Sequence, residues 1–172
     1  KDSADIKAAI FRDGQLQGTP TEKKVDYHRG INKPIHYNSK LYEGYMAGGT
    51  NALLDGYRGG LTYLDGRWQG YLDDLDCVID MEEETDIHKV SIRFMQLTGP
   101  GVFQPGQVEL LTSEDGENFI SRGIVPTTVP ADDPDLLFQE YTFDGNWKAR
   151  YVRLKAPRAN PGFIFADEIV VW

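Results

Sequence analysis

Two Asp-Gly pairs, Asp55-Gly56 and Asp65-Gly66, stand in the run NALLDGYRGGLTYLDGRWQG over residues 51–70, which holds five glycines in all. Asp-Gly supplies the backbone freedom that a tight reversal needs. A glycine-rich loop with carboxylates can also fold around a hard cation, its carbonyl oxygens serving as ligands. Other acids are plentiful: Asp73, Asp74 and Asp76, the run Glu82–Glu84, and Asp132, Asp133 and Asp135. Paired carboxylates are the machinery of glycoside hydrolysis. Here they sit beside turn residues, where solvated faces are the usual explanation, so no catalysis is expected of them. His28, His36 and His88 lack metal-ligand spacing. There is no Gly-x-Ser-x-Gly elbow and no phosphate loop. Cys77, the one cysteine, lies in the apolar run CVIDM and reads as a small buried residue. An internal disulfide framework and a zinc cluster are thereby excluded.

The chain has 172 residues, enough for one medium domain or one domain and a fragment. At 40% hydrophobic residues it can build a core, which argues against global disorder. The net charge of −9 argues against nucleic acid and anionic lipid, both of which need a basic face. No apolar run approaches the ~18–20 residues that span a bilayer, so no membrane insertion is expected.

The elements that must position these groups read as strands. In His88–Gln96, Val90, Ile92 and Phe94 fall on one face, and Lys89, Ser91 and Arg93 on the other. Val108–Ser113 and Ala149–Ala156 alternate in the same way, and Gly162–Trp172 sets Phe163, Phe165 and Ile169 in register with Val171. Turn signals separate them at Glu114-Asp115-Gly116, Asp144-Gly145-Asn146 and Asn160-Pro161-Gly162. Many short punctuated strands predict an all-β sandwich. A boundary is expected near Tyr27–Pro34. Before it, Ala4–Phe11 reads as a strand, Asp13-Gly14 as a turn and Lys24–His28 as a second strand. One hairpin is marginal in water alone. It is expected to dock on the main domain or hang loose as the remnant of an upstream domain.

Residues from about Ile31 to Trp172 resemble the discoidin family, also called coagulation factor five/eight type C. ALLDGYRGG resembles its opening Asp-Gly loop, and RWQGY follows with the tryptophan. DCVIDMEEETDIHKVSIRF, VELLTSEDGENF, ARYVRLKA and FADEIVVW resemble later strands, in the family's order. Leu54–Gly59 and Asp65–Gly70 are similar to the loops of variants at the C-termini of bacterial chitobiase or β-hexosaminidase-like glycoside hydrolases. DIKAAIFRDG resembles the last strands of the small sandwich that precedes such domains.

The resemblance implies a galactose-binding-domain-like jelly-roll sandwich over 30–172, with 1–29 as the C-terminal strands of an upstream immunoglobulin-like sandwich. It implies a monomeric, non-catalytic carbohydrate-binding accessory domain of a secreted, periplasmic or cell-surface enzyme; a structural spacer that binds no glycan is the alternative. It implies calcium held by Asp55 and Glu168, with carbonyls of Ala52, Tyr57, Gly60 and Asp167. Gly60 stands where the family often has Ser or Thr. A sugar site needs an aromatic face for the pyranose and planar polar groups for its hydroxyls. Gln69 takes the position of a family histidine, and Tyr71 or Leu72 that of an aromatic. The candidates are Tyr63, Arg67, Gln69, Tyr71, Phe103, Asn160 and Phe163, with a terminal hexose or N-acetylhexosamine as ligand. Trp68 is expected in or near the core, and Arg58 as an anchor for the loop.

Overall fold

The computed structural model describes residues 4–172, apart from the side chains of Lys23 and Lys24. Residues 1–3 of the expected N-terminal piece lie outside the described residues. Nine strands are present among them: β1 Ala4–Arg12, β2 Gln15–Val25, β3 Ile35–Tyr37, β4 Gln69–Tyr71, β5 Leu75–Gln96, β6 Gln107–Ser113, β7 Ile120–Pro126, β8 Leu137–Ala156 and β9 Ile164–Val171. Short 3-10 turns at Glu43–Tyr45 and Ala52–Leu54 are the helical content.

β3 to β9 form one antiparallel sheet in the order β4-β9-β5-β8-β6-β7, with β3 added to the first half of β5. The two longest strands hold it together. Their ladder runs from Leu75↔Ala156 to Gln96↔Leu137 and breaks between Asp80 and Thr85. There the sheet folds over. Cys77 and Ile79 from one half of β5 join Ile92 and Phe94 from the other in a single core, with Val152, Leu154 and Ile169. The result is a jelly-roll β-sandwich.

Alternation works as read in the second half of β8, where Val152, Leu154 and Ala156 are buried and Tyr151, Arg153 and Lys155 are not. β9 departs from it, being buried at every position. Its outer face lies beneath the Asp-Gly loop, so Asp167 and Glu168 are taken out of water together with the apolar residues.

Among the strands, β1 and β2 pair only with each other, and Val25 at the end of β2 also bridges Tyr57 of the Asp-Gly loop. β1 is exposed along its whole length, with Ile6, Ile10, Phe11 and Leu16 of the hairpin all open to solvent. The expected turn at Asp13-Gly14 is present, both residues having positive φ. The second strand differs from the expectation: it spans Gln15–Val25, and Asp26–His28 leaves it to run against the sandwich. The Asp26 amide donates to the Gly56 carbonyl at 2.9 Å, and the Arg29 amide to the Val171 carbonyl at 2.9 Å. Burial explains the difference, since Asp26 and His28 find partners inside the fold.

Candidate functional site

The fold-over brings several connections to one end of the sandwich. The loop after β5 meets the loop before β9, the Phe103 amide donating to the Phe163 carbonyl and the Phe163 amide to the Gly101 carbonyl, at 2.9 and 2.8 Å. Gly162 makes this approach possible. Its φ is +134°, and a Cβ there would strike the Gly101 carbonyl.

Aromatic rings gather at this end. Phe163 lies edge-on to Tyr42 and Tyr45, at centroid distances of 5.1 and 5.3 Å. Tyr45 continues to Tyr63 at 5.8 Å and to Phe165 at 5.0 Å. Phe165 is buried, Tyr45, Tyr63, Phe103 and Phe163 are half-buried, and Tyr42 is 39% exposed. Sequence reading missed Tyr42 and Tyr45. The signal was their three-residue spacing: residues i and i+3 eclipse on a 3-10 turn, and the two rings lie 5.7 Å apart.

A polar cleft of about 450 Å³ adjoins the rings, lined by Asn38, Ser39, Lys40, Asp73, Asp74 and Arg158. Arg158 links the two features. Its amide donates to Asp74 Oδ1 at 2.8 Å, and its guanidinium to the carbonyl of Gly162, next to Phe163, at 3.2 Å. Asp76, at the base of the cleft, is gripped by Arg153 through both oxygens, at 2.8 and 2.7 Å. Desolvation pushes its carboxyl up, but the Arg153 fork and the Asn38 amide outweigh this and leave it below the ordinary carboxylate value.

Of the sequence candidates, Tyr63, Phe103 and Phe163 belong to this end, and half-buried Asn160 lies in the loop before Phe163. Gln69 and Tyr71 require correction. Both are fully buried in β4. The Gln69 side chain donates to the Gly49 carbonyl at 3.1 Å and accepts from the Tyr71 hydroxyl, a closed internal network. β4 pairs with β9 in the interior, so neither side chain reaches a surface ligand. Exposed Leu72 follows them. Arg67 lies apart from the rings just described, its guanidinium 4.3 Å above the Tyr57 ring and 3.7 Å from Asp55.

The Asp-Gly loop crosses β9 through a dense charge network. Trp68 is buried as expected, its indole donating to the Gly60 carbonyl at 3.2 Å. A Cβ at Gly59 would collide with that indole. Arg58 anchors carboxylates rather than loop carbonyls: it reaches Asp26 at 2.5 Å, Glu140 at 2.9 Å and Asp167 at 3.9 Å. Burial disfavours its charge, yet these acids raise its pKa above the ordinary value. Asp167 also takes the Arg93 guanidinium and the Gly59 amide, the latter at 2.9 Å.

Three of the groups named for calcium, the Asp55 and Glu168 carboxylates and the Gly60 carbonyl, meet nitrogen donors here. Both Glu168 oxygens accept the Gly56 amide at 3.1 Å, and Oε1 accepts from His28 Nε2 at 2.8 Å. Asp55 Oδ1 accepts the Tyr57 amide at 2.9 Å. His28 Nδ1 accepts the amides of Gly30 and Val171, at 3.1 and 3.4 Å, so Nε2 carries the ring proton. Burial lowers the His28 imidazole to about 4; burial, with Asp55 nearby, raises the Glu168 carboxyl to about 10. As folded, this donor set does not fit a calcium shell, which needs oxygens turned toward one point. Among the described residues, no three His, Cys, Asp or Glu side chains are grouped to hold a metal ion.

The fold is a jelly-roll β-sandwich with an aromatic loop end. No family model and no curated protein matches the sequence. Solved structures do match. A fucose-binding module from Streptococcus pneumoniae aligns at a TM-score of 0.59 and 16% identity, over 95% of this chain and 99% of that one. Chitosan-binding module 1 of a chitosanase/glucanase from Paenibacillus sp. IK-5 aligns at 0.58 and 14% identity, over 85% and 98%. CpGH89CBM32-5 from Clostridium perfringens, solved with GalNAc-beta-1,3-galactose, aligns at 0.57 and 19% identity, over 84% and 96%. The chain shares the fold of these carbohydrate-binding modules.

Proposed function

We propose that this chain is a non-catalytic carbohydrate-binding domain, and that it binds glycan at the loop end of the sandwich. The observation that carries this is the aromatic group formed by Tyr42, Tyr45, Tyr63 and Phe163 beside the polar cleft of Lys40, Asp73, Asp74 and Arg158. A ring offers stacking area to the apolar face of a sugar, and the fixed amides, carboxylates and guanidinium reach its hydroxyls. The ligands of the structural neighbours support the same class of partner. A terminal hexose or N-acetylhexosamine is the ligand we assign. The parent is then a secreted, periplasmic or cell-surface glycoside hydrolase of chitobiase or β-hexosaminidase type, with this domain acting as a monomeric unit. Calcium is no part of the glycan-binding step.

The exposed hairpin favours one addition. Ile6, Ile10, Phe11 and Leu16 lie open on a two-stranded sheet that the sandwich does not cover. An upstream sandwich that pairs with it would bury this surface, as the reading of 1–29 implies. Packing on a parent is compatible with glycan binding, because the rings lie on other loops.

A glycan panel tests the proposal. Binding is expected on the order of 0.1–1 mM, because a shallow, wet surface orders a polar ligand for little apolar burial. Tyr42→Ala and Phe103→Ala should each remove most of it. A domain that binds no hexose or N-acetylhexosamine at ten times these concentrations would leave the spacer reading in its place.

A further inference from the structure

The junction between β2 and the sandwich is built around a buried histidine. His28 and Glu168 have fully buried side chains, 2.8 Å apart. Every polar atom of the pair has a partner: Nε2 donates to Glu168, Nδ1 accepts two backbone amides, and both carboxylate oxygens accept the Gly56 amide. The space around the ring is closed. A Cβ at Gly30 would come within 3.1 Å of Nδ1, and the ring edge meets Trp172 at a centroid distance of 6.5 Å. Of the carbonyls named for calcium, that of Gly60 is occupied, accepting from the Trp68 indole at 3.2 Å; its loop neighbours Gly56 and Gly59 accept from the Asp26 amide and the Arg93 guanidinium at 2.9 and 2.8 Å.

We propose that His28 fills the place that the family resemblance gives to a cation, so that protein groups alone pin the Asp55–Gly56 turn to β9 and the site takes no calcium. A calcium ion needs six to eight oxygens within about 2.6 Å. To supply them here, Glu168 must release His28 and Gly56, and the Gly60 carbonyl must leave the Trp68 indole. Each broken contact strands a buried polar group. The histidine performs the same structural work, joining the glycine turn to the last strand. It also adds a coupling that an ion lacks. His28 stands three residues after the end of β2, so the pin on the Asp-Gly loop is carried by the segment that leaves the hairpin.

Calorimetry on the whole chain with calcium chloride and with a chelator tests the first half of the proposal. No binding heat and a melting temperature constant within about 1 °C are expected, since a ligand absent from the native state adds nothing by mass action. A calcium-dependent rise of several degrees in the unaltered protein would overturn it. The second half is tested at His28. His28→Ala should lower the melting temperature by roughly 5–10 °C, by leaving buried acceptors and donors unpaired. It should also speed exchange of the Gly56 amide at least about tenfold, as the turn is released. His28→Gln retains a donor for Glu168 and should lose about half as much, so it gives a reading if the alanine variant fails to fold. Combining the histidine change with Glu168→Gln should cost less than the sum of the two, because both remove one contact. Unchanged melting and unchanged Gly56 exchange in either histidine variant would show that the pair pins nothing.

Discussion

Arg58 is the side chain on which the Asp-Gly loop turns. It joins three separate pieces of chain, reaching Asp26 before the sandwich, Glu140 on β8 and Asp167 on β9. With the guanidinium largely buried, its loss leaves Asp26 without its charged partner and Asp167 with Arg93 alone. Arg58→Ala should therefore cost about 3 kcal/mol, the range for breaking a buried pair. Urea unfolding measures this. Arg58→Lys should recover little, because a point charge cannot hold the carboxylates that a planar fork spans. Cys77 was legible in the sequence as an interior residue because an apolar context surrounds it, whereas Trp68, between Arg67 and Gln69, was legible only through the family resemblance. Gln69 and Tyr71 were not: an amide and a phenol read as surface groups until a buried partner is seen, and each supplies the other's. His28 was equally hidden, since its partners, Glu168, Gly30 and Val171, come together only through the docking of the Val25–Ile31 segment on β9.

At the scale of elements, the long pair β5 and β8 organises the molecule. Two bidentate pairs lace its first half, Arg150 with Asp80 and Arg153 with Asp76. The Arg150 fork holds the Asp80 carboxyl below its usual value, and Arg153 with Asn38 does the same for Asp76 against the opposing effect of desolvation. Folded pKa values below the unfolded ones bind protons less readily than the open chain. Their stabilisation is thus full above the unfolded value of about 3.9 and is lost as pH falls below it through the folded values. Unfolding curves between pH 2 and 5 should show this acid limb, and Asp76→Asn should flatten it. An acid limb of equal slope in that variant would remove Asp76 from the account.

The hairpin is a second element with a clear expectation. β1 is exposed throughout and contributes nothing to the core. Removal of residues 1–22 should leave the melting temperature of the sandwich within about 3 °C, the shift of roughly 1 kcal/mol in a domain of this size. Alternation made the core strands of β6, β8 and β9 legible. It could not show that β5 is continuous through the polar run Glu82–Glu84, because a fold-over is a property of two strands together. It could not reveal full burial of β9 either, since the loop that covers it lies a hundred residues earlier in the chain.

For the whole molecule, order along the chain was more informative than any single motif. Six weak discoidin-like segments in sequence predicted the sandwich, and solved structures at 14–19% identity share it over most of the chain. The aromatic loop end was half legible. Phe103, Phe163 and Tyr63 could be placed on loops, but their companions Tyr42 and Tyr45 come from a 3-10 turn that the strand pattern does not signal. With a net charge of −9, binding of neutral glycans should vary little with salt, whereas an anionic partner would be repelled. The most direct test of glycan recognition at the loop end is an amide-resolved NMR titration with single terminal hexoses and N-acetylhexosamines. Shifts should saturate with at least one sugar and cluster on residues 38–45, 97–106 and 157–163. A flat spectrum across the panel, or shifts confined to the fold-over end or the hairpin, would contradict it.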